Sequence, residues 1–238
     1  MNGMRPPSAA SAEIDALSEE LARRFRTVRT TVTAGANSIE IMHPEKADDL
    51  IDEADFERDE RLPYWADVWP SAVILARRVA GERGAGRRLL ELGCGAGLVA
   101  SAATLAGFDV TATDYYEDSL LFTRVNVVRN GGADPALRLV DWRDLPADLG
   151  TFDLVVASDV LYEHTYGALV AAAIARTLRP RGLAILADPG RIAAAEFVDA
   201  ARERGLEVWT ADRVRYTHGP AAQTIDLHEL WWPPNRRA

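Results

Sequence analysis

The chain has 238 residues, of which 48% are hydrophobic and 26% are charged, as in ordinary globular proteins. This length suits one α/β domain with a short extension. The formal net charge of −9 argues against a general nucleic-acid binder, which usually presents a basic face, and is compatible with a cationic partner.

Cysteine content and hydropathy bear on location. The single cysteine, Cys94, cannot form an internal disulfide, which is typical of a reducing compartment. No apolar run approaches the roughly 20 residues of a membrane span. The N-terminus lacks the basic-then-apolar pattern of a secretory signal. We therefore expect a cytoplasmic protein with no membrane partner.

The first 62 residues predict a tail and an extension ahead of the main domain. Residues 1–12 are small, polar and proline-containing, which is typical of disorder. Residues 13–62 predict an N-terminal extension or cap. Its pieces are a helix carrying Ile14, Leu17, Leu21 and Ala22, two β-prone segments at 27–33 and 38–42, and an acidic stretch at 48–60.

Residues 63–238 predict one α/β domain. Strands and helices alternate regularly, which is typical of a doubly wound parallel sheet that binds ligands at the carboxyl ends of its strands. The last two strands leave no room for a crossover helix and are expected to pair antiparallel. The predicted strands are 88–92, 110–113, 137–141, 154–158, 183–187, 206–216 and 224–232, and the predicted helices are 70–80, 98–106, 117–130, 166–178 and 193–204.

A glycine-rich turn joins the first of these strands to the next helix. Glycine has no Cβ, so such a turn lets the backbone approach a ligand closely. The glycines are Gly93, Gly95 and Gly97, with Leu98 where a dinucleotide site of the Gly-x-Gly-x-x-Gly type would carry its third glycine. The turn therefore predicts a cofactor site, and its spacing disfavours a nicotinamide or flavin.

An acidic residue ends the second strand of the domain. Asp114 follows Gly97 by 17 residues. A carboxylate at this place can accept hydrogen bonds from both ribose hydroxyls of a nucleoside. Together with the glycine turn, it indicates a ligand that contains a nucleoside.

Three stretches carry a family resemblance: "LLELGCGAGLVASAATLAGFDVTATD", "VDW" and "FDLVVASDVLY". They resemble the seven-β-strand methyltransferases that use S-adenosyl-L-methionine, over residues 63–189. Within them the chain looks most like the protein-lysine methyltransferase group marked by Asp-x-x-Tyr or Asp-x-x-Phe after strand four, here Asp159 to Tyr162. The resemblance implies a seven-stranded, mostly parallel Rossmann-like sheet with an antiparallel C-terminal hairpin and a small N-terminal α/β extension.

The resemblance assigns the cofactor's amino-acid half and its ribose. In the family, amides and carbonyls of the glycine turn hold the amino-acid half, which transfers here onto Glu91, Gly93, Cys94 and Gly95. A zwitterionic head group needs donors for its carboxylate and acceptors for its ammonium. Asp114 corresponds to the residue that binds the ribose.

Three further cofactor residues follow from the resemblance. Trp142 matches the tryptophan that lines the adenine, and a role in capping the core is the alternative. Ala157 matches the small residue that leaves space for the cofactor. Trp69, selected over Trp65 by Ala72 three residues on, matches a tryptophan that contacts the cofactor; both tryptophans also suit the core or a lid.

Asp159 and Tyr162 are the candidate catalytic residues. A lysine acceptor must lose a proton whose ordinary pKa is about 10.4, and a nearby carboxylate favours the ammonium. We therefore expect Asp159 to bind and orient the acceptor, Tyr162 to shape the pocket, and water to take the proton. A helix N-cap is the alternative role for Asp159. The segment Asp188–Arg191 lies at the same sheet edge, where substrate contact and a simple turn account for it equally well.

The favoured function is methyl transfer to a lysine of a protein substrate. The alternatives are a methyltransferase for a small metabolite amine and a regulatory protein that binds the cofactor without catalysis. In-line displacement at a sulfonium needs no metal, and the four histidines show no ligand spacing with the cysteine. The chain also lacks the Asn-Pro-Pro-Tyr found at this place in many enzymes that methylate bases or amides, so we expect no nucleic-acid partner.

Overall fold

The computed structural model describes residues 9–47, 50, 63–218 and 221–234. The predicted tail at 1–8, the acidic stretch at 48–60 apart from Leu50, and the turn around Gly219 lie outside the described residues. The elements, in chain order, are α1 (Ala9–Arg24), β1 (Thr27–Ala34), β2 (Asn37–Pro44), a 3₁₀ turn (Tyr64–Ala66), α2 (Pro70–Ala80), β3 (Arg88–Leu92), α3 (Leu98–Leu105), β4 (Asp109–Asp114), α4 (Glu117–Arg129), β5 (Ala136–Leu139), β6 (Phe152–Ser158), α5 (Tyr166–Thr177), β7 (Leu178–Asp188), α6 (Ala194–Glu203), β8 (Glu207–His218) and β9 (Ala221–Trp231).

The N-terminal extension consists of α1 and the antiparallel β1–β2 hairpin. The helix begins at Ala9, so the prediction of disorder for residues 9–12 is wrong: three of these four residues are alanines, the strongest helix formers. α1 packs on α4 through one buried cluster, and ion pairs such as Arg129 with Asp15 at 3.0 Å flank it. The buried members of the cluster are Leu21, Met42, Trp65, Ala66, Phe122 and Val125.

The main sheet has the order β5-β4-β3-β6-β7-β9-β8. All neighbours are parallel except β9, which pairs antiparallel with β7 and β8. The predicted fold class, including the C-terminal hairpin, is confirmed. Leu89 and Leu90 of β3 are both fully buried because helices cover both faces of the sheet, as the continuous apolar run indicates.

Several strand boundaries differ from the prediction by one to five residues. β5 ends at Leu139, two residues early. β7 begins at Leu178, five residues early, where Leu178 pairs with Phe152 ahead of a register irregularity. Pro180 lies in this irregular part, where a missing N–H is tolerated, so proline and glycine here do not end the strand.

The sheet topology places a crevice next to β3. The neighbours of β3 are β4 on one side and β6 on the other, so the chain reverses its winding direction there. Ligands of open α/β sheets bind outside the carboxyl ends of strands at such a point. Among the described helices, none is both long and apolar enough to cross a membrane.

Gly97 permits the close packing of α3 on α4. Its φ is +83°, and a Cβ there would lie 2.7 Å from Thr123 Cα. Gly131 has a similar φ of +85° but open space around its Cβ position.

The two glycines separate backbone strain from crowding. We expect Gly131→Ala to lower the free energy of unfolding by about 1–2 kcal/mol, the usual cost of a left-handed L-residue. Gly97→Ala should lower it by a further 1–3 kcal/mol, roughly the cost of overpacking. Urea denaturation of both variants measures this difference, and equal losses would contradict the role of Gly97 in packing.

Candidate functional site

A cavity of about 940 Å³, counting its open mouth, lies at the carboxyl ends of β3, β4 and β6. Nine of the ten predicted site residues line it: Trp69, Glu91, Gly93, Cys94, Gly95, Asp114, Trp142, Asp159 and Tyr162. Ala157 is instead fully buried in the core beneath and is not among the lining residues.

Gly93 and Gly95 bring the backbone close to the cavity wall. Their φ values are +72° and +54°. A Cβ on Gly93 would meet Val160 at 3.0 Å and Trp142 at 3.5 Å, and one on Gly95 would meet the carbonyl oxygen of Trp65 at 3.2 Å. Any larger side chain in this turn would therefore push against the wall.

The amides of the turn are already used inside the protein. The N–H groups of Gly93 and Cys94 both donate to the Thr113 carbonyl at 2.9 Å, and that of Gly95 donates to Asp114 Oδ2 at 2.9 Å. These bonds fasten the turn to the end of β4. The prediction assigned the amides of Gly93, Cys94 and Gly95 to the cofactor, but in the structure they bond within the protein. The turn therefore contributes to the cavity chiefly by bringing its backbone close to a ligand.

Two buried carboxylates stand side by side in the cavity. Asp114 accepts the amides of Gly95 and Tyr116, and burial nevertheless raises its pKa. Glu91 is 1% exposed, and its Oε2 has no hydrogen-bond partner among the described residues. Burial, and then the charge of Asp114, raise the pKa of Glu91 well above its ordinary value.

The charge of the cavity wall is one-sided. None of its described lining residues is arginine, lysine or histidine. The acidic lining residues are Asp67, Glu91, Asp114, Asp141 and Asp159, and Asp141 pairs with Arg143 at 2.6 Å. Such a wall attracts a cationic ligand and repels polyphosphates.

Cys94 is a packing residue of the turn. Burial, and then the charges of Asp114 and Glu91, raise the pKa of its thiol well above the ordinary value. Thr123 Oγ1 donates to the sulfur at 3.3 Å. A thiol held protonated in this way is a poor nucleophile.

Five aromatic rings form a continuous wall along the cavity. Edge-to-face contacts run from Trp69 to Tyr64, Tyr162, Tyr166 and Trp142, with centroid distances of 6.0, 5.0, 5.2 and 5.3 Å. Sequence reasoning missed Tyr64 and Tyr166. The signals were present, since Tyr64 opens the stretch "YWADVWPSA" and Tyr166 follows Tyr162 by four residues, at the start of the predicted helix.

The two candidate tryptophans occupy different places. Trp65 is 9% exposed and packs on Phe122, so it belongs mainly to the core. Trp69 donates its indole N–H to the Tyr64 carbonyl at 2.8 Å and also borders a second cavity beside Asp159 and Arg191. Trp69 therefore faces the side of the site where an acceptor is expected.

Asp159 is a buried carboxylate in a strained backbone. Its φ of +58° is positive, which is uncommon outside glycine and clusters at functional sites. Ser71 Oγ donates to Oδ2 at 2.9 Å, and Arg191 Nε donates to Oδ1 at 2.6 Å. Helix α5 begins at Tyr166, seven residues later, so the alternative of a helix N-cap is wrong.

The segment after β7 forms a turn and also reaches the site. Asp188 Oδ1 accepts the amides of Gly190 and Arg191, each at 2.7 Å. The Arg191 side chain extends from this turn back to Asp159.

Sequence reasoning missed Ser71 as a site residue, although it directly follows Pro70, the first residue of α2.

Tyr162 lies against Tyr64 and Tyr166 beside Asp159. Burial raises the pKa of its phenol well above the ordinary value of 10. The hydroxyl therefore stays protonated at neutral pH, and it can shape the pocket or hydrogen-bond an acceptor without serving as a base.

Known proteins place this site in a family. A family model described as "Methyltransferase domain" matches residues 64–233. The chain belongs to this methyltransferase family. The cavity at the carboxyl ends of β3, β4 and β6 is thus the candidate active site of a methyltransferase domain.

Two curated relatives are lysine methyltransferases. The electron transfer flavoprotein beta subunit lysine methyltransferase of Danio rerio is 32% identical over 148 residues, which cover 60% of this chain and 55% of the relative. The protein N-lysine methyltransferase METTL21A of Danio rerio is 38% identical over 122 residues, which cover 46% and 54%. The chain thus spans about half the length of these curated relatives.

A solved structure shares the fold. The N-methyltransferase NodS from Bradyrhizobium japonicum, in complex with S-adenosyl-L-homocysteine, superposes with a TM-score of 0.58 at 20% identity. The match covers 76% of this chain and 98% of NodS. This likeness concerns the Rossmann-like fold.

The buried Glu91 of this methyltransferase domain, with its unpartnered Oε2, predicts a pH-dependent stability difference. Because its folded pKa is raised above the ordinary 4.5, the unfolded state loses the proton first, and stability falls as pH rises above that value. Glu91→Gln removes the titrating carboxyl group and with it this dependence of stability on pH. The free energy of unfolding of the variant relative to wild type should increase by up to about 1.4 kcal/mol per pH unit in that window.

Urea denaturation of both proteins at pH 5, 6 and 7, without added ligand, measures the trend. Asp148→Asn, at an exposed surface aspartate paired with Arg138, is the matched control and should show no rising difference. A constant difference between Glu91→Gln and wild type would contradict the raised pKa.

Proposed function

We propose that this methyltransferase binds S-adenosyl-L-methionine and transfers its methyl group to a lysine amine of a protein substrate. The observation that carries the proposal is the division of the cavity. Glu91 and Asp114 place two buried carboxyl groups on one side, and Asp159 and Tyr162 lie beside the aromatic wall on the other. NodS, of the same fold, is a complex with S-adenosyl-L-homocysteine, and both curated relatives named above are lysine methyltransferases.

The residues of the acidic side suit the proposed cofactor. The unpartnered Oε2 of Glu91 is an acceptor for an ammonium group, and Asp114 can accept hydrogen bonds from ribose hydroxyls. Trp142, packed on Gly93, offers a flat surface to an adenine. When bound, the cofactor supplies a methyl group activated by a sulfonium. Its net positive charge matches a wall without cationic side chains.

The other side suits an extended amine. Aromatic faces attract a lysine side chain and exclude water from the reacting groups. The second cavity, beside Asp159, reaches the surface at Ile192, which is 60% exposed. A side chain presented by a folded protein could enter there.

A cytoplasmic location, the absence of nucleic-acid and membrane partners and the domain boundary at residue 63 stay predictions.

Labelling of a lysate tests the acceptor class. The chain contains one lysine, Lys46. Lys46→Arg enzyme, incubated with lysate and S-adenosyl-L-methionine labelled in its methyl group, should place label in protein bands. Acid hydrolysis should recover it as methyllysine, which cannot derive from lysines of the enzyme itself.

Each outcome of this experiment decides between the functions. Methyllysine in lysate proteins supports the proposal. Label confined to the small-molecule fraction would indicate a metabolite amine instead. Cofactor binding measured by calorimetry, with no label in either fraction, would indicate a regulatory protein without catalysis.

Asp159→Asn tests the orienting role of this carboxylate. We expect turnover to fall about 10- to 100-fold, because misplacement of the acceptor amine is costly in an in-line displacement. Affinity for S-adenosyl-L-methionine should stay unchanged, since Asp159 lies on the acceptor side. The measurements are initial rates and calorimetric affinity, with Asp148→Asn as the control. Full turnover together with normal cofactor binding would remove Asp159 from the mechanism.

A further inference from the structure

The guanidinium of Arg191 lies on the acceptor side of the site, paired with Asp159. Arg191 Nε donates to Asp159 Oδ1 at 2.6 Å, and the carboxylate side chain is 2% exposed against 35% for the arginine. The guanidinium carbon lies 5.3 Å from the ring centroid of Trp69, within cation–π range. The turn at Asp188 fixes the backbone from which this side chain starts. Carboxylate and guanidinium thus form a built pair beside the aromatic wall.

This pair bears on the proton that the acceptor must lose. An isolated carboxylate close to a lysine amine favours the ammonium and typically raises the pKa of a nearby cation by about 1–3 units. An ammonium has no lone pair for attack on a methyl group. Asp159 alone would therefore hold the substrate in its unreactive form. A guanidinium already paired with the carboxylate removes most of that effect.

We propose that Arg191 is a positioning residue that neutralises Asp159, so that the pocket accepts the lysine as a free amine. The inference rests on the proposed function. The amine gives its proton to water before reaction, and its lone pair then forms the N–C bond to the methyl group while the C–S bonding pair returns to sulfur. The methylated amine leaves as a cation beside a neutral pair.

Among the titratable groups described below, Arg191 is the one that can neutralise Asp159. Ser71 contributes a neutral hydroxyl from α2, and the Tyr162 phenol stays protonated. The neighbouring acids are Glu163 in the loop, Asp188 at the end of β7 and Asp114 across the cavity. All three acids would add to the negative charge near the amine, and Arg191 opposes it.

Kinetics against pH test the proposal, with the strongest labelled lysate protein as substrate. In Arg191→Gln, the midpoint of the rise of kcat with pH should move up by about one unit. At pH below the midpoint, kcat falls about tenfold and recovers at high pH, while KM does not rise because unpaired Asp159 attracts the ammonium. Arg191→Lys should restore most of the profile. Arg181→Gln, an exposed arginine near the start of β7, is the control and should change nothing.

Binding of n-butylamine to the free enzyme gives a readout without turnover. At pH 7.5 this amine is almost entirely cationic, so Arg191→Gln should bind it about tenfold more tightly than wild type does. Asp159→Asn combined with Arg191→Gln should lose that gain. A merely structural role of Arg191 predicts neither result.

The outcomes distinguish this inference from the proposed function. An active wild-type enzyme whose pH profile and n-butylamine affinity are unchanged in Arg191→Gln would overturn the role of Arg191 alone. Failure of the wild type to methylate any lysine would overturn the proposed function. A profile shifted in Arg191→Gln and equally in Arg191→Lys would show that charge is not the cause, and would also overturn the inference.

Discussion

Buried carboxyl groups at the carboxyl edge of the sheet are the constraint on which the rest of the site depends. Burial of a carboxylate is strongly unfavourable unless hydrogen bonds or a counter-charge compensate it. Asp114 receives two backbone amides, and Asp159 receives a hydroxyl and a guanidinium. Glu91 keeps one oxygen without a partner. The three carboxyl groups thus differ in how far hydrogen bonds or an ion pair compensate their burial. This difference gives the cavity two chemically distinct halves.

The sheet order brings these carboxylates together. β3, β4 and β6 are neighbours, so residues at their carboxyl ends meet although up to 68 positions separate them in the chain. The glycine turn is fastened to the end of β4 through Thr113, and glycine is required because the backbone passes Trp65, Trp142 and Thr123 at contact distance. The extension contributes through Leu21 of α1, which shares one buried cluster with Trp65 and Phe122 beneath the turn. The site therefore depends on packing well outside its own residues.

Much of this arrangement could be predicted from the sequence, because it follows local rules. Alternating strands and helices, the glycine turn and an acid at a strand end each depend on short-range pattern, and the parallel topology then places them at one edge. The structure brings nine of the ten predicted residues into one cavity. Ala157 is the exception, since a small residue at a strand end packs in the core as readily as it lines a pocket.

The remaining features depend on long-range geometry. The pair of Arg191 with Asp159 joins positions 32 apart, and only the path of the turn after β7 determines where the arginine points. Tyr64 and Tyr166 join the same aromatic wall although 102 positions separate them in the chain. α1 begins at Ala9, in a segment whose small and polar residues predicted disorder although its alanines are strong helix formers. Further along the helix, Leu21 packs on α4.

The two halves of the cavity match the charges of the proposed reaction. Methyl transfer from a sulfonium to an amine moves one positive charge from sulfur to nitrogen. On the Glu91 side, no cationic side chain lines the cavity beside the carboxyl groups, which favours the cation before transfer. On the Asp159 side, the guanidinium of Arg191 offsets the charge of the carboxylate. A neutral amine can therefore enter, and the methylated cation is not bound tightly after transfer. The charge distribution thus favours cofactor binding on one side and both entry of the nucleophile and departure of the product on the other.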